Sequence, residues 1–182
     1  KSVSQNNPTP SDYGLGAEIN YQELDLFLNE SSDSGIPRKE EIEGLYRLSG
    51  LQQGMLFHSI YDGEAGAYIE QFTCDVINPN IEFFTKSWRQ VIKNHSILRS
   101  AFYYDRFAIP VQCVYINAGL PLVEILDYPE MDDDSKAEVA AKYELADRNK
   151  PFDFQSAPLM RIALIRLSDD RYRMLWTSHH IL

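Results

Sequence analysis

The closing stretch of the chain, WTSHHIL from Trp176 to Leu182, sets two of its four histidines side by side. An imidazole can accept a proton, position one, or bind a metal. If the stretch is a β-strand, neighbouring side chains leave from opposite faces, so His179 and His180 cannot readily share one metal ion. Two readings stay open. Either one histidine does proton or positioning chemistry while its neighbour is locked into the scaffold, or both are satisfied polar strand residues. The other two histidines read differently. His95 falls at the C-terminal end of a helix, where a cation is favourable, and reads as structural. His58 lies on the polar side of a helix and reads as a surface residue, with lining an opening as the alternative. The two cysteines, Cys74 and Cys113, sit in apolar β-like runs without CxxC or Cys/His spacing, so they read as buried free thiols and no metal site is expected.

The pair needs a strand to carry it, and the pattern supplies one. PLMRIALIRL, the turn SDD and RYRMLWTSHH read as a hairpin of two long strands. Upstream, LSGLQQGMLFHSIYD reads as a helix with Ser49 as N-cap and Leu51, Met55, Leu56 and Ile60 on one face. GAYIEQFTCDVI alternates Tyr68, Phe72 and Val76 as a strand does. Asn78 and Pro79 then open a helix whose apolar residues, Ile81, Phe84, Trp88 and Val91 with His95 after them, recur every third or fourth position. ILRSAFYYD, PVQCVYI and PLVEIL read as further strands, and MDDDSKAEVAAKYELADRNK as a helix with acids in its first turn. Tyr103, Tyr104 and Phe57 read as core or rim residues. The expected class is α+β, with helices packed on a mixed, largely antiparallel sheet. Residues 1–39 are polar and rich in Pro, Gly and Ser. They read as a linker carrying one amphipathic docking helix, INYQELDLFLN, with Ile19, Leu24, Phe27 and Leu28 near helical spacing. The ordered domain is expected over 40–182.

Composition bounds the function. With 182 residues, 44% apolar and 12% aromatic, the chain can build one substantial core. Its formal charge of −10 excludes nucleic acid as the natural partner, because phosphate recognition needs clustered Lys and Arg. No run approaches the roughly 20 apolar residues that span a bilayer, and the start lacks a signal-peptide core. No membrane partner and a cytoplasmic location are the simplest expectations.

Three segments taken in order carry a resemblance. LSGLQQGMLFHS, KNHSILRSAF and SHHIL stand at separations similar to those of condensation domains of non-ribosomal peptide synthetases. In that family a Ser-x-x-Gln segment opens the domain. A His-x-x-Leu-Arg-x-x-Phe segment follows the first long helix, and a His-His-x-x-x-Asp-Gly segment holds the active centre. RNKPFDFQSAPLMRIALIRL also looks like the family, and the resemblance spans essentially Glu40 to Leu182.

The resemblance implies a chloramphenicol-acetyltransferase-like lobe, preceded by an interdomain linker. It implies His180 as the catalytic residue, His179 as its structural neighbour, and Arg99 as the arginine that pairs with the motif's aspartate. It implies two substrates held as thioesters on the phosphopantetheine arms of upstream and downstream carrier domains, with no metal or other cofactor bound directly. A C-terminal lobe of the same domain, an upstream epimerisation domain and a downstream adenylation domain are the remaining implied partners. The opening LSGLQQGMLFHSIYD looks like that of domains whose donor ends in a D-residue. The chain ends before the motif's Asp and Gly, so the resemblance implies an N-terminal lobe cut from something longer and inactive by itself. A partner-recruiting domain of the same fold, or an acyltransferase using soluble coenzyme A, are the competing expectations.

Overall fold

The computed structural model describes residues 8–31, 35–61, 66, 68–121 and 123–182. Among them are four α-helices and seven strands, arranged in two sheets rather than the single sheet expected. Helix α1 is Tyr21–Asn29 and strand β1 is Ile42–Arg47; α2 is Gly50–Tyr61, β2 Ile69–Ile77 and α3 Ile81–Asn94. Strands β3, Ser100–Tyr103, β4, Val111–Tyr115, and β5, Val123–Leu126, follow. Helix α4 is Asp133–Arg148, and strands β6, Met160–Arg166, and β7, Arg171–His179, close the chain. No helix among the described residues is long and apolar enough to cross a membrane.

The smaller sheet runs β1-β4-β3, antiparallel throughout. Strand β1 escapes a sequence reading because Gly44 falls at a register shift that breaks its alternation. Helix α1 covers this sheet. Asn20 caps it by accepting the Glu23 N–H at 2.9 Å, and its Leu24, Phe27 and Leu28 join Ile19 in a cluster with Leu45, Tyr103, Val111 and Cys113. The Arg38 guanidinium lies 4.0 Å from the centre of the Phe27 ring and donates to the Phe27 carbonyl and to Glu30. The amphipathic piece of the first 39 residues thus docks on this chain's own sheet. Because Leu24 is 0% exposed, Leu24→Ala is expected to cost about 2–5 kcal/mol in chemical denaturation. Leu26→Ala, on the exposed side of the same helix, is expected to change stability by less than about 0.5 kcal/mol.

The larger sheet runs β2-β7-β6-β5, with only the β5–β6 pair parallel. Strand β6 is covered on both faces. Met160 and Ile162 face α3, meeting Ile92 with Trp88 and Trp176 beside them, while Ala163 and Ile165 face α4 and meet Ala140. The layers are helix, sheet, helix. Helix α3 is capped by Asn80, which accepts the Phe83 N–H at 2.9 Å, and not by Asn78, whose φ of 46° places it in a left-handed turn. Its buried row is Phe84, Trp88 and Ile92; the expected Val91 lies one step around and is exposed. The first third of ILRSAFYYD is a 3-10 turn, Ser96–Arg99, that feeds β3.

The end of α4 is tied down by charge. Buried Asp147 accepts Arg161 Nε at 2.7 Å and the Thr177 hydroxyl, while Gln71 Nε2 bridges Asp147 and Thr177. Arg161 also stacks 4.0 Å from the Phe152 ring centre. Helix α4, β6, β7 and β2 are joined at one point, which holds β7 in register toward its histidine end.

Candidate active site

The three sequence segments that carry the resemblance meet in space. Ser49 and Gln52 cap α2 reciprocally: Gln52 N–H donates to Ser49 Oγ at 3.2 Å and Gln52 Oε1 accepts Ser49 N–H at 3.0 Å. The Gln52 amide then reaches across to the Ile181 carbonyl at 3.3 Å. Ile181 itself is buried in a cluster with Leu48, Met55, Leu56, Phe102, Phe154 and Leu159. Residues from all three segments therefore enclose the chain just past His180.

Helix α2 turns by about 100° per residue, so Leu51 and Ile60 sit about 180° apart and cannot share one buried face. Leu51 is 71% exposed, and Met55, Leu56 and the polar Gln52 and Ser59 face inward instead. Ser59 is a site residue that the sequence pattern does not single out. Its neighbour His58 stands out there as the ionisable group, yet His58 is exposed with a ring contact to Phe57.

His179 is 3% exposed, the last residue of β7, with Phe154 edge-on at 4.9 Å between ring centres and Tyr68 and Phe152 further out. The Ile181 N–H donates to its Nδ1 at 3.2 Å, so Nδ1 carries the lone pair and Nε2 the proton. That Nε2–H donates to Ser59 Oγ at 3.1 Å, and the Ser59 hydroxyl in turn donates to the Met55 carbonyl at 2.7 Å. One tautomer satisfies every polar atom. Burial first, and His180 second, hold the His179 pKa down to about 4. The unfolded ring takes up its proton near pH 6.5 and the folded ring not until about 4, so this contribution is complete above pH 6.5 and is lost as pH falls toward 4. The slope is at most about 1.4 kcal/mol per pH unit. Urea midpoints of the wild type are expected to drop between pH 7 and pH 5, and by less in His179→Gln.

His180 follows in the turn just past β7 and, unlike His179, is exposed. Its side chain is 53% exposed. The backbone N–H donates to the Tyr68 carbonyl at 2.8 Å, and Tyr68 presents that carbonyl from a left-handed φ of 64°. Nδ1 lies 3.3 Å from Glu70 Oε1. The adjacent histidines thus differ in setting, His179 sealed into the scaffold and His180 half-exposed beside Glu70.

Arg99 is buried at 7% exposure. Its Nε donates to the Ile92 carbonyl at 3.3 Å, and its Nη1 to Glu43 at 2.9 Å and to the carbonyls of Tyr115 and Ile116. It stitches the end of α3 to β4 and β1, and its partners lie outside the SHHIL segment. His95 is the C-cap of α3, its N–H on the Val91 carbonyl. Cys113 is a buried free thiol whose pKa burial pushes up to about 12, while Cys74 on the edge strand β2 is free but only half-buried. Tyr103 is core, and Tyr104 and Phe57 are exposed. Among the described residues no three His, Cys, Asp or Glu side chains gather as metal ligands would.

The family model for the condensation domain matches residues 42–182. A linear gramicidin synthase polypeptide of Brevibacillus parabrevis is 37% identical over 174 residues, and bacitracin synthase 1 of Bacillus licheniformis is 34% identical over 177. Each match takes in 96% of this chain, but 2% and 3% of those relatives, so the chain spans a small fraction of their length. Among solved structures, the first condensation domain of the CDA synthetase superposes with a TM-score of 0.63 at 16% identity, over 76% of this chain and 36% of that one. The cyclization-docking bidomain EpoB of Sorangium cellulosum gives 0.65 at 16% identity, over 75% and 27%. At such identities the likeness is one of fold, the α+β chloramphenicol-acetyltransferase-like lobe. With the family match covering 42–182 and the three segments meeting around Ile181, just past the histidine pair, the chain belongs to the condensation-domain family.

Proposed function

We propose that this chain is the N-terminal lobe of a peptide-bond-forming condensation domain in non-ribosomal peptide synthesis, with residues 1–39 as its upstream interdomain linker. The observation that carries the reading is the division of labour at the histidine pair. His179 is sealed and neutral, while the His180 imidazole leaves the strand end half-exposed and braced by Glu70.

In this reading the donor and acceptor are thioesters on the phosphopantetheine arms of upstream and downstream carrier domains, and a C-terminal lobe completes the crevice that His180 faces. The acceptor's neutral α-amine attacks the donor's thioester carbon; a C–N bond forms, the C–S bond breaks, and the donor arm leaves as a thiol. The nitrogen must shed one proton, which His180 Nε2 takes and which ends on the departing sulfur. A thioester is already activated, so holding two tethered groups in line supplies much of the rate. Arg99, whose Nη2 takes no hydrogen-bond partner among the described residues, has a donor left for the motif's aspartate. An upstream epimerisation domain, a downstream adenylation domain and a cytoplasmic setting complete the proposal.

The test is product formation by the intact two-lobe domain with both carriers loaded. The expected result is an amide-linked product on the acceptor carrier. Transfer from a soluble coenzyme A thioester instead, or carrier binding without any product, would replace the proposal with one of its competitors.

A further inference from the structure

We propose that Ser59 is a positioning residue for the condensation reaction, acting through His179 on the backbone that presents His180. The role depends on His180 being the catalytic histidine. The geometry starts from the neighbours of the His179 ring. Phe154, Phe152 and Tyr68 wall it with aromatic faces and edges, so its two nitrogens must find partners at their own ends. The Ile181 N–H can only donate, which makes Nδ1 the acceptor and puts the proton on Nε2. Ser59 Oγ, 3.1 Å away, takes that proton's hydrogen bond, and its own hydroxyl is turned to the Met55 carbonyl one helical turn back. The chain of donation therefore runs one way, from Ile181 and His179 into helix α2.

Of these groups, Ile181 N–H and Met55 C=O are backbone, and Ser59 supplies the side-chain oxygen that closes the relay. Without it, Nε2–H is buried and unsatisfied. The ring can then be relieved by moving its proton to Nδ1, by rotating, or by admitting water, and the first two release the Ile181 N–H. His180 lies between those two anchors. His180 itself has one N–H bond to Tyr68 and an exposed contact to Glu70; the His179 N–H is held by the Leu159 carbonyl and the Ile181 carbonyl by Gln52, but the Ile181 N–H between them is held, among the described residues, by the His179 ring alone. A reacting group displaced by even a fraction of an ångström loses rate without losing substrate binding.

The experiment uses the intact condensation domain with ring-labelled histidine and both carriers loaded, comparing wild type, Ser59→Ala and Ser59→Thr. In Ser59→Ala, ring nitrogen NMR is expected to show His179 losing its single Nε2–H tautomer, with kcat lowered about 10-fold and KM for the carriers unchanged. Ser59→Thr keeps the hydroxyl and is expected to restore both. A fixed tautomer in Ser59→Ala overturns the proposal, as does a lost tautomer with an unaltered kcat. Should Ser59→Thr pack poorly, the alanine variant decides alone, because the tautomer is read without reference to rate. If His180→Ala retains wild-type activity, the assignment of His180 fails and takes the catalytic role of Ser59 with it. The tautomer result would still stand, so the two failures are told apart.

Discussion

His180→Ala in the intact domain is expected to lower transfer between loaded carriers by about 10²–10⁴-fold, the usual range for removing a positioned acid–base group. The size of the loss discriminates between roles. Orientation by the carriers and the crevice survives the substitution, so a residual rate above the uncatalysed reaction is expected. Loss of fold is not expected to contribute. The His180 side chain is more than half exposed, its contact to Glu70 is an exposed pair, and its N–H bond to the Tyr68 carbonyl is backbone and remains. Thermal unfolding of the variant should match the wild type within about 0.5 kcal/mol. A variant that condenses at near-normal rates would remove His180 from the chemistry, whatever its exposure. Glu70→Gln offers a milder companion: its contact to Nδ1, at 3.3 Å, joins two exposed side chains, so its rate should lie much nearer the wild type than that of His180→Ala.

Arg99→Ala is expected to weaken the scaffold strongly, at about 2–4 kcal/mol of stability. Its effect comes from the carbonyls more than from the ion pair. Glu43 is half exposed and can be rehydrated, so losing that contact costs little. The carbonyls of Ile92, Tyr115 and Ile116 converge on a guanidinium that is almost wholly enclosed, and alanine leaves them facing a void. A shift of this size is a large share of the roughly 5–15 kcal/mol that holds a domain together. Arg99→Lys keeps the charge but not the planar fork, and is expected to recover only part of the loss. Chemical denaturation of the three proteins checks the order. Unchanged stability in Arg99→Ala would mean that the carbonyls find water, and would leave Arg99 without a scaffold role.

The elements legible in the sequence are those whose burial follows a local period. The hairpin of β6 and β7 reads directly from two apolar runs around SDD, and its observed register pairs Met160 with Ser178 and Arg166 with Tyr172. Helix α4 shows in its acidic first turn, and the docking face of α1 in the spacing of Leu24, Phe27 and Leu28. Periodicity locates the helix caps less well. Asn78 and Asn80 are both good N-cap types two residues apart, and the cap falls to Asn80 because the turn before it bonds to Asp170 in the β6–β7 connection. Strand β1 stays hidden because a glycine at a bulge breaks its alternation.

The sequence by itself determined that two adjacent histidines carried in by a strand are unlike partners that cannot readily share one metal ion, because the side-chain period of a strand is two. That alone made one of them a candidate for chemistry and the other for support. Which of them is buried was decided by tertiary contacts: Ser59 meets His179 across 120 positions of chain and Gln52 meets Ile181 across 129. No local rule relates residues so far apart. Their meeting depends on how a helix and a sheet pack around one shared apolar cluster, and the burial that cluster imposes is what holds His179 neutral and leaves His180 half-exposed.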